Sequence, residues 1–148
     1  MSRKPEVAFH FNAPDRLVYA CRLLRKAYLK GARLLVLADE PLARELDQRL
    51  WTMAGTEFVP HVLEGAPPAL LERTPIVISS AERAEAAAAD VLVNLRDRWP
   101  EGCEQFARVI EVVTGESSVR DQARQRWKRY KTLGVEPQHL DLQNIAAQ

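Results

Sequence analysis

The chain has 148 residues, 47% of them apolar and 28% charged, with a net charge of +1. That composition suits a globular domain with its own hydrophobic core and argues against a uniformly basic nucleic-acid binder. No apolar run approaches the ~20 residues of a membrane span, the first residues lack a secretory pattern, and Cys21 and Cys103 are too far apart for a CxxC pair, so a cytoplasmic protein is expected.

Residues 7–11 alternate, with Val7, Phe9 and Phe11 on one side and Ala8 and His10 on the other, which predicts a strand with His10 packed under a neighbouring helix. Pro14 is expected to open a helix over 14–30, whose buried side carries Leu17, Ala20, Cys21, Leu24, Ala27 and Tyr28 and which Gly31 closes. Residues 33–38 are a continuous apolar run, the pattern of a strand covered on both faces. Asp39, Glu40 and Pro41 then cap a second helix with a buried stripe of Leu42, Leu46, Leu50 and Met53. Trp51 projects roughly 145° from that stripe, so either the following loop covers it or it stands exposed as an anchor.

The proline-rich stretch 56–68 breaks both periodicities and reads as a loop or short strand, with Phe58 and Val59 as core plugs or a contact patch. Residues 75–79 and 91–95 predict further buried strands, separated by an alanine-rich, helix-compatible stretch over 81–89. Residues 103–113 can start helical and finish as a strand, given Val109, Ile110, Val112 and Val113. The last residues, 136–148, are polar and aperiodic and are expected to form a loosely held tail behind one domain over 1–135. Alternating strands and helices imply an α/β fold, a doubly wound, mostly parallel sheet with helices on both faces.

Residues 118–134 stand apart. Ser118 is placed to cap a helix that Gly134 ends, and at 100° per residue Arg120, Arg124, Trp127 and Lys131 fall within roughly 60° of one another, with Lys128 on the flank. Between Glu116 and Lys131 six Lys/Arg face two acids, a local charge of +4 on a chain that is otherwise mildly acidic. Such a patch attracts nucleic acid or acidic peptides; the plainer reading is a solvated helix face.

Signals of chemistry are weak. The first strand runs into Asn12-Ala13-Pro14-Asp15 with no glycine, and neither GxGxxG nor GxxxxGK[ST] occurs, so a phosphate loop and a nucleotide cofactor are not expected. Ser79-Ser80 lacks the glycines of a nucleophile elbow. Asp15, Asp90 and Asp97 have no evident partners in sequence, and His10, His61 and His139 are too scattered for a metal site. A scaffold that presents surfaces fits better than an enzyme.

The order of elements, the block LDQRLWTMAGTEFVPHVL over 46–63, the strand residues IEVV over 110–113 and the helix ARQRWKRYKTLG over 123–134 together resemble the chi subunit of bacterial DNA polymerase III. The resemblance implies a non-enzymatic protein with a nucleotide-binding-like fold and no nucleotide, linking the clamp loader to the acidic C-terminal tail of single-stranded DNA-binding protein. It implies that Arg120, Arg124, Trp127, Lys128, Lys131 and the Trp51 of the RLW motif receive that tail. It places the psi-subunit contact at Phe58, Val59, Pro60 and His61, a surface for which a repair helicase is a further candidate. The turn Thr114-Gly115 is shorter than in better-known members, and Trp127 stands where a tyrosine is common. The competing reading is direct single-stranded nucleic-acid binding by the same helix, which needs stacking aromatics as well as cations.

Overall fold

In a computed structural model the described residues are 4–52, 58–85 and 89–143. Seven strands form one sheet: β1 (Glu6–Ala13), β2 (Leu34–Leu37), β3 (His61–Leu63), β4 (Ile76–Ser79), β5 (Val91–Asn94), β6 (Arg108–Thr114) and β7 (Gln138–Asp141). Their order is β3-β4-β2-β5-β6-β1-β7 and every pairing is parallel. Among the described residues the helices are α1 (Arg16–Leu29), α2 (Glu40–Thr52), α3 (Pro68–Arg73) and α4 (Ser117–Thr132), with a 3-10 turn at Cys103–Gln105.

The alternation of side chains along each strand divides the core in two. Leu34, Val36, Ile76, Ile78, Val91, Val93, Ile110 and Val112 meet Leu17, Ala20 and Leu24 of α1 and Ala43, Leu46 and Leu50 of α2. On the opposite face Val7, Phe9, Leu35, Leu37, Leu92, Val109 and Val113 meet Ala123 and Tyr130 of α4, together with Ala84, Cys103 and Phe106 from connecting chain. Both faces are therefore covered, which is why β2 and β5 are buried at all four positions and read as continuous apolar runs.

Local chemistry explains where several expectations fail. Pro14 does not open α1; β1 continues to Ala13, and Asp15 is the cap, its carboxylate accepting from the backbone N–H of Leu17 at 2.9 Å and Val18 at 3.1 Å. Ser118 does not cap α4, because the helix starts one residue earlier, with Glu116 at the cap position and no side-chain capping bond. Its far end follows expectation: Gly134 adopts φ +85° and its N–H donates to Lys131 O, while Val135 N–H donates to Tyr130 O, a Schellman closure. The helix-compatible stretch over 81–89 is not helical at 81–85 or 89, since Ala84 spends its N–H on Glu101 O and its carbonyl on the Gln105 side chain. Gly102 allows that approach: a Cβ there would lie 2.4 Å from Ala84 O. Helix α3 was not foreseen; it begins at Pro68, immediately after Pro67.

The expectation of a loose tail over 136–148 is corrected for its described part, 136–143, and residues 144–148 lie outside the described residues. Gln138–Asp141 forms β7, in parallel register with residues 8–11 of β1, and Leu142 returns to the core. Hydrophobic periodicity could not reveal it, because its burial is slight and its support is the β1 backbone. Met53, expected in the α2 stripe, lies outside the described residues.

Candidate functional site

Helix α4 is anchored by an unusual inner face: Ala123, Arg126 and Tyr130 are buried. Arg126 Nε donates to Glu111 Oε1 at 3.1 Å, Asn94 Nδ2 to the same oxygen at 2.8 Å, and the Tyr130 hydroxyl to Glu111 Oε2 at 3.1 Å. Burial pushes the Glu111 carboxyl up, against the pull of Arg126 and the other donors. Arg126, counted in sequence as part of the basic surface, is thus consumed inside the protein.

With that face turned inward, Arg120, Arg124 and Trp127 look toward the β7 edge of the sheet. They line a cavity of about 310 Å³ together with Phe11 and Asn12 from the end of β1 and His139 from β7. Trp127 is half-buried, packing on Phe9 at 5.1 Å and Phe11 at 6.3 Å between ring centroids. His139 stacks on Phe11 at 4.7 Å and stands edge-on to Trp127 at 6.4 Å. Arg124 is exposed and 3.5 Å from Asp121 in the preceding turn, a surface pair too weak to hold it. The result is an aromatic floor beside two guanidinium groups, an arrangement that can take an apolar side chain and a carboxylate together. Lys128 and Lys131 are exposed on α4 but do not line the cavity.

Trp51 does not join this group. It stands at the end of α2, 60% exposed, with its ring centroid 4.9 Å from that of Phe58, which is itself 51% exposed. The pair sits beside β3, at the opposite edge of the sheet from β7. The four residues 58–61 also divide: Phe58 faces out and Pro60 is half-buried, whereas Val59 is 1% exposed in the core and His61 is buried. His61 Nδ1 lies 2.7 Å from Val59 O and its Nε2 3.2 Å from Asp47 O, so its ring braces the strand start and supports Trp51 edge-on from beneath.

The other residues weighed for chemistry have structural partners. Ser79 and Ser80 donate to Glu64 at 2.6 and 2.8 Å, Asp97 pairs with Arg16 at 2.7 Å, and Asp90 accepts from Arg33 N–H. Asp39 is gripped in bidentate fashion by Arg98, which holds its carboxyl below the usual range. No cluster of metal-ligating side chains occurs among the described residues.

Residues 5–138 match the family model described as "DNA polymerase III chi subunit, HolC". The chain belongs to the DNA polymerase III chi subunit family. It is 33% identical over 127 residues to DNA polymerase III subunit chi of Haemophilus influenzae, covering 85% of each chain. To the Pseudomonas aeruginosa subunit it is 35% identical over 133 residues, 88% of this chain and 89% of that one. Solved structures similar in fold include the C-terminal domain of the DEAD-box protein Dbp5, at a TM-score of 0.59, 10% identity, 96% of this chain and 92% of that one. A DEAD box protein from Methanococcus jannaschii superposes at a TM-score of 0.57 with 12% identity, over 93% of this chain and 42% of that one. These likenesses establish the doubly wound architecture alone.

Membership of the chi family makes this chain an accessory subunit of the DNA polymerase III assembly, associated with the replisome. Among the described residues no helix is long and apolar enough to cross a membrane. Sequence reading found the α4 half of the cavity and missed Phe11, Asn12 and His139. Phe11 reads as an ordinary core position, and His139 falls in the stretch taken as a tail; Asn12 carries one signal, a short polar residue after a strand and before Ala13-Pro14, where the left-handed φ of +64° that it adopts is best tolerated.

Proposed function

We propose that this chi-family chain is a non-catalytic, cytoplasmic adaptor that captures the acidic C-terminal tail of single-stranded DNA-binding protein in the α4 groove and is joined to the clamp loader through a psi subunit. The observation that carries the reading is the meeting of Arg120 and Arg124 with the Phe11 and Trp127 rings in one cavity. A peptide ending in a hydrophobic residue has both features to match: the terminal carboxylate takes paired hydrogen bonds from a guanidinium, and the side chain covers the rings. Lys131, one turn further along the same face of α4, and Lys128 on its flank are both exposed and attract the acidic residues upstream of that end. The psi contact belongs to the exposed Trp51–Phe58 pair, a large aromatic surface of the sort that anchors protein partners. Val59 and His61 shape that surface from inside.

The test is fluorescence anisotropy with a labelled acidic tail peptide, a scrambled peptide and a labelled single-stranded oligonucleotide. Saturable binding of the native-order peptide is expected, weakened about tenfold or more by Arg124→Ala, as befits loss of a hydrogen bond to a charged group, and weakened further by salt. Binding of the oligonucleotide in preference to the peptide would replace this reading with direct nucleic-acid binding by α4.

A further inference from the structure

Helix α1 carries more unbalanced charge than α4. From Arg16 to Lys30 it holds five Lys/Arg (Arg16, Arg22, Arg25, Lys26 and Lys30) and no acid. Its neighbour in the same layer, α2, is mixed in the usual way, with Glu40, Glu45 and Asp47 beside Arg44 and Arg49 and an Arg44–Glu40 pair at 2.6 Å one turn apart. Leu17, Ala20, Cys21 and Leu24 turn α1 into the core on the sheet face opposite α4. That leaves Arg22, Arg25, Lys26 and Leu29 within about 100° of one another on the outer side, with Lys30 one turn beyond Lys26.

Arg16 is spent on Asp97 at 2.7 Å. Arg22, Lys26 and Lys30 are exposed, and among the described residues none of the three has an acid within ion-pair distance. They stand four residues apart along one ridge, about 6 Å per step, and like charges at that spacing weaken a helix. The negative end of the helix dipole offsets the repulsion at Lys26 and Lys30 but not at Arg22, in the middle of α1. A row of charges that costs the helix stability, and that the described chain does not neutralise, points to an anionic partner outside it. Steps of about 6 Å come close to the spacing of successive phosphates along an extended single strand; a duplex would need a second row to grip both backbones. The chemistry also differs from that of the α4 groove. Tyr19 and Tyr28 pack against the core, and Leu29, at 59%, is the exposed large apolar side chain of α1, so no ring is offered to a base or to a peptide side chain.

We propose that the outer ridge of α1 is a contact for single-stranded DNA, in which Arg22, Lys26 and Lys30 each neutralise one backbone phosphate and the bases are not read. The site goes beyond the tail-receptor reading and stands independently of it. Because α1 and α4 cover opposite faces of the sheet, a DNA strand on one and a peptide on the other can be held by one chain at the same time. Three phosphate contacts make a weak, salt-limited association. At about 0.7 per contact the logarithm of the binding constant falls by about 2 for a tenfold rise in salt, which is about a hundredfold in Kd.

The experiment titrates a labelled mixed-sequence oligonucleotide, and its duplex with the complement, against the full chain by anisotropy from low to physiological salt. Two charge-matched variants are compared with wild type: Arg22→Gln with Lys26→Gln and Lys30→Gln, and Arg120→Gln with Arg124→Gln and Lys131→Gln. Each removes three positive charges and keeps good helix formers. Wild type is expected to bind the single strand at low salt with a log–log salt slope near about −2, and the duplex more weakly. The α1 variant is expected to lose that slope and to bind about tenfold or more weakly at low salt. Its melting temperature stays at or above that of wild type, because repulsion within the helix is relieved. Each α1 substitution alone takes about 0.7 from the slope, while the α4 variant retains a slope near that of wild type. The proposal is overturned if the slope follows the α4 charges and not those of α1, or if the duplex binds more tightly than the single strand. It is equally overturned if the α1 variant keeps the oligonucleotide and loses the acidic tail peptide, which would make the ridge a peptide surface. If wild type binds no oligonucleotide even at low salt, the proposal falls and the tail-receptor reading is untouched.

Discussion

His10 illustrates how a single side chain takes its properties from the face on which it lands. The alternation of β1 turns it away from Phe9 and under α1, where its Nδ1 lies 2.5 Å from the Tyr19 hydroxyl. Burial, aided by Arg108 and Lys26, lowers its pKa from 6.5 to about 4, and burial raises that of Tyr19, so a neutral imidazole and a neutral hydroxyl share this hydrogen bond. The folded value lies below the unfolded one, so the unfolded chain binds the proton more tightly. The stabilisation is therefore complete above about pH 6.5 and is lost as pH falls toward 4, by about 3 kcal/mol. Urea unfolding of wild type and His10→Gln across pH 7.5 to 4 reads this directly, the glutamine keeping a polar partner for Tyr19. The stability gap between the two proteins is expected to change by that amount in favour of the variant; a gap constant with pH would refute the assignment. Cys103, by contrast, is pushed up to about 12 by burial, with Glu104 and Glu111 adding to the shift, and packs as an inert thiol in a cluster with Phe106 and Tyr130.

At the level of elements, α4 has to serve two masters. Its outward side is cationic, so it cannot be held down by a broad apolar stripe, and it has no side-chain cap at its start. The Glu111–Arg126–Tyr130 cluster supplies much of what is missing, giving the helix a fixed rotation and so aiming Arg120, Arg124 and Trp127 at the groove. Removing one member should be far worse than removing both. Glu111→Leu is expected to destabilise by about 3–5 kcal/mol, because it strands the buried Arg126 charge, whereas adding Arg126→Met recovers most of the loss by exchanging an ion pair for packing. Chemical denaturation of the two singles and the double is the measurement, and additive losses would show that the pair is not coupled in this way. Strand β7 is the converse case: weak as an element, with slight burial, but placed so that its attachment decides the shape of a wall.

For the molecule as a whole, the sheet acts as a spacer. The Trp51–Phe58 surface lies by β3 and the groove by β7, the two edges of a seven-stranded sheet and so about 29 Å apart. Contacts so far apart are expected to be energetically independent. Phe58→Ala should therefore leave the Kd of the proposed tail peptide within about twofold, and Arg124→Ala should leave the proposed psi binding equally unchanged, both read by titration of one ligand in the absence and presence of the other. Cross-effects of tenfold would mean that the edges communicate. Much of this plan was legible beforehand, for a physical reason: strand alternation, continuous apolar runs and the 100° helical step are local regularities that determine which side of each element is buried. They sufficed for the α/β class, for the basic stripe of α4, for the Gly134 closure, and, through motif resemblance, for the family. Backbone pairing and long-range charge neutralisation leave no such periodic trace. Only the tertiary structure could decide that Arg126 turns inward to Glu111, that Val59 and His61 are buried while Phe58 is not, that Trp51 stands a whole sheet away from Trp127, and that a polar tail folds back beside β1 to place His139 against Phe11.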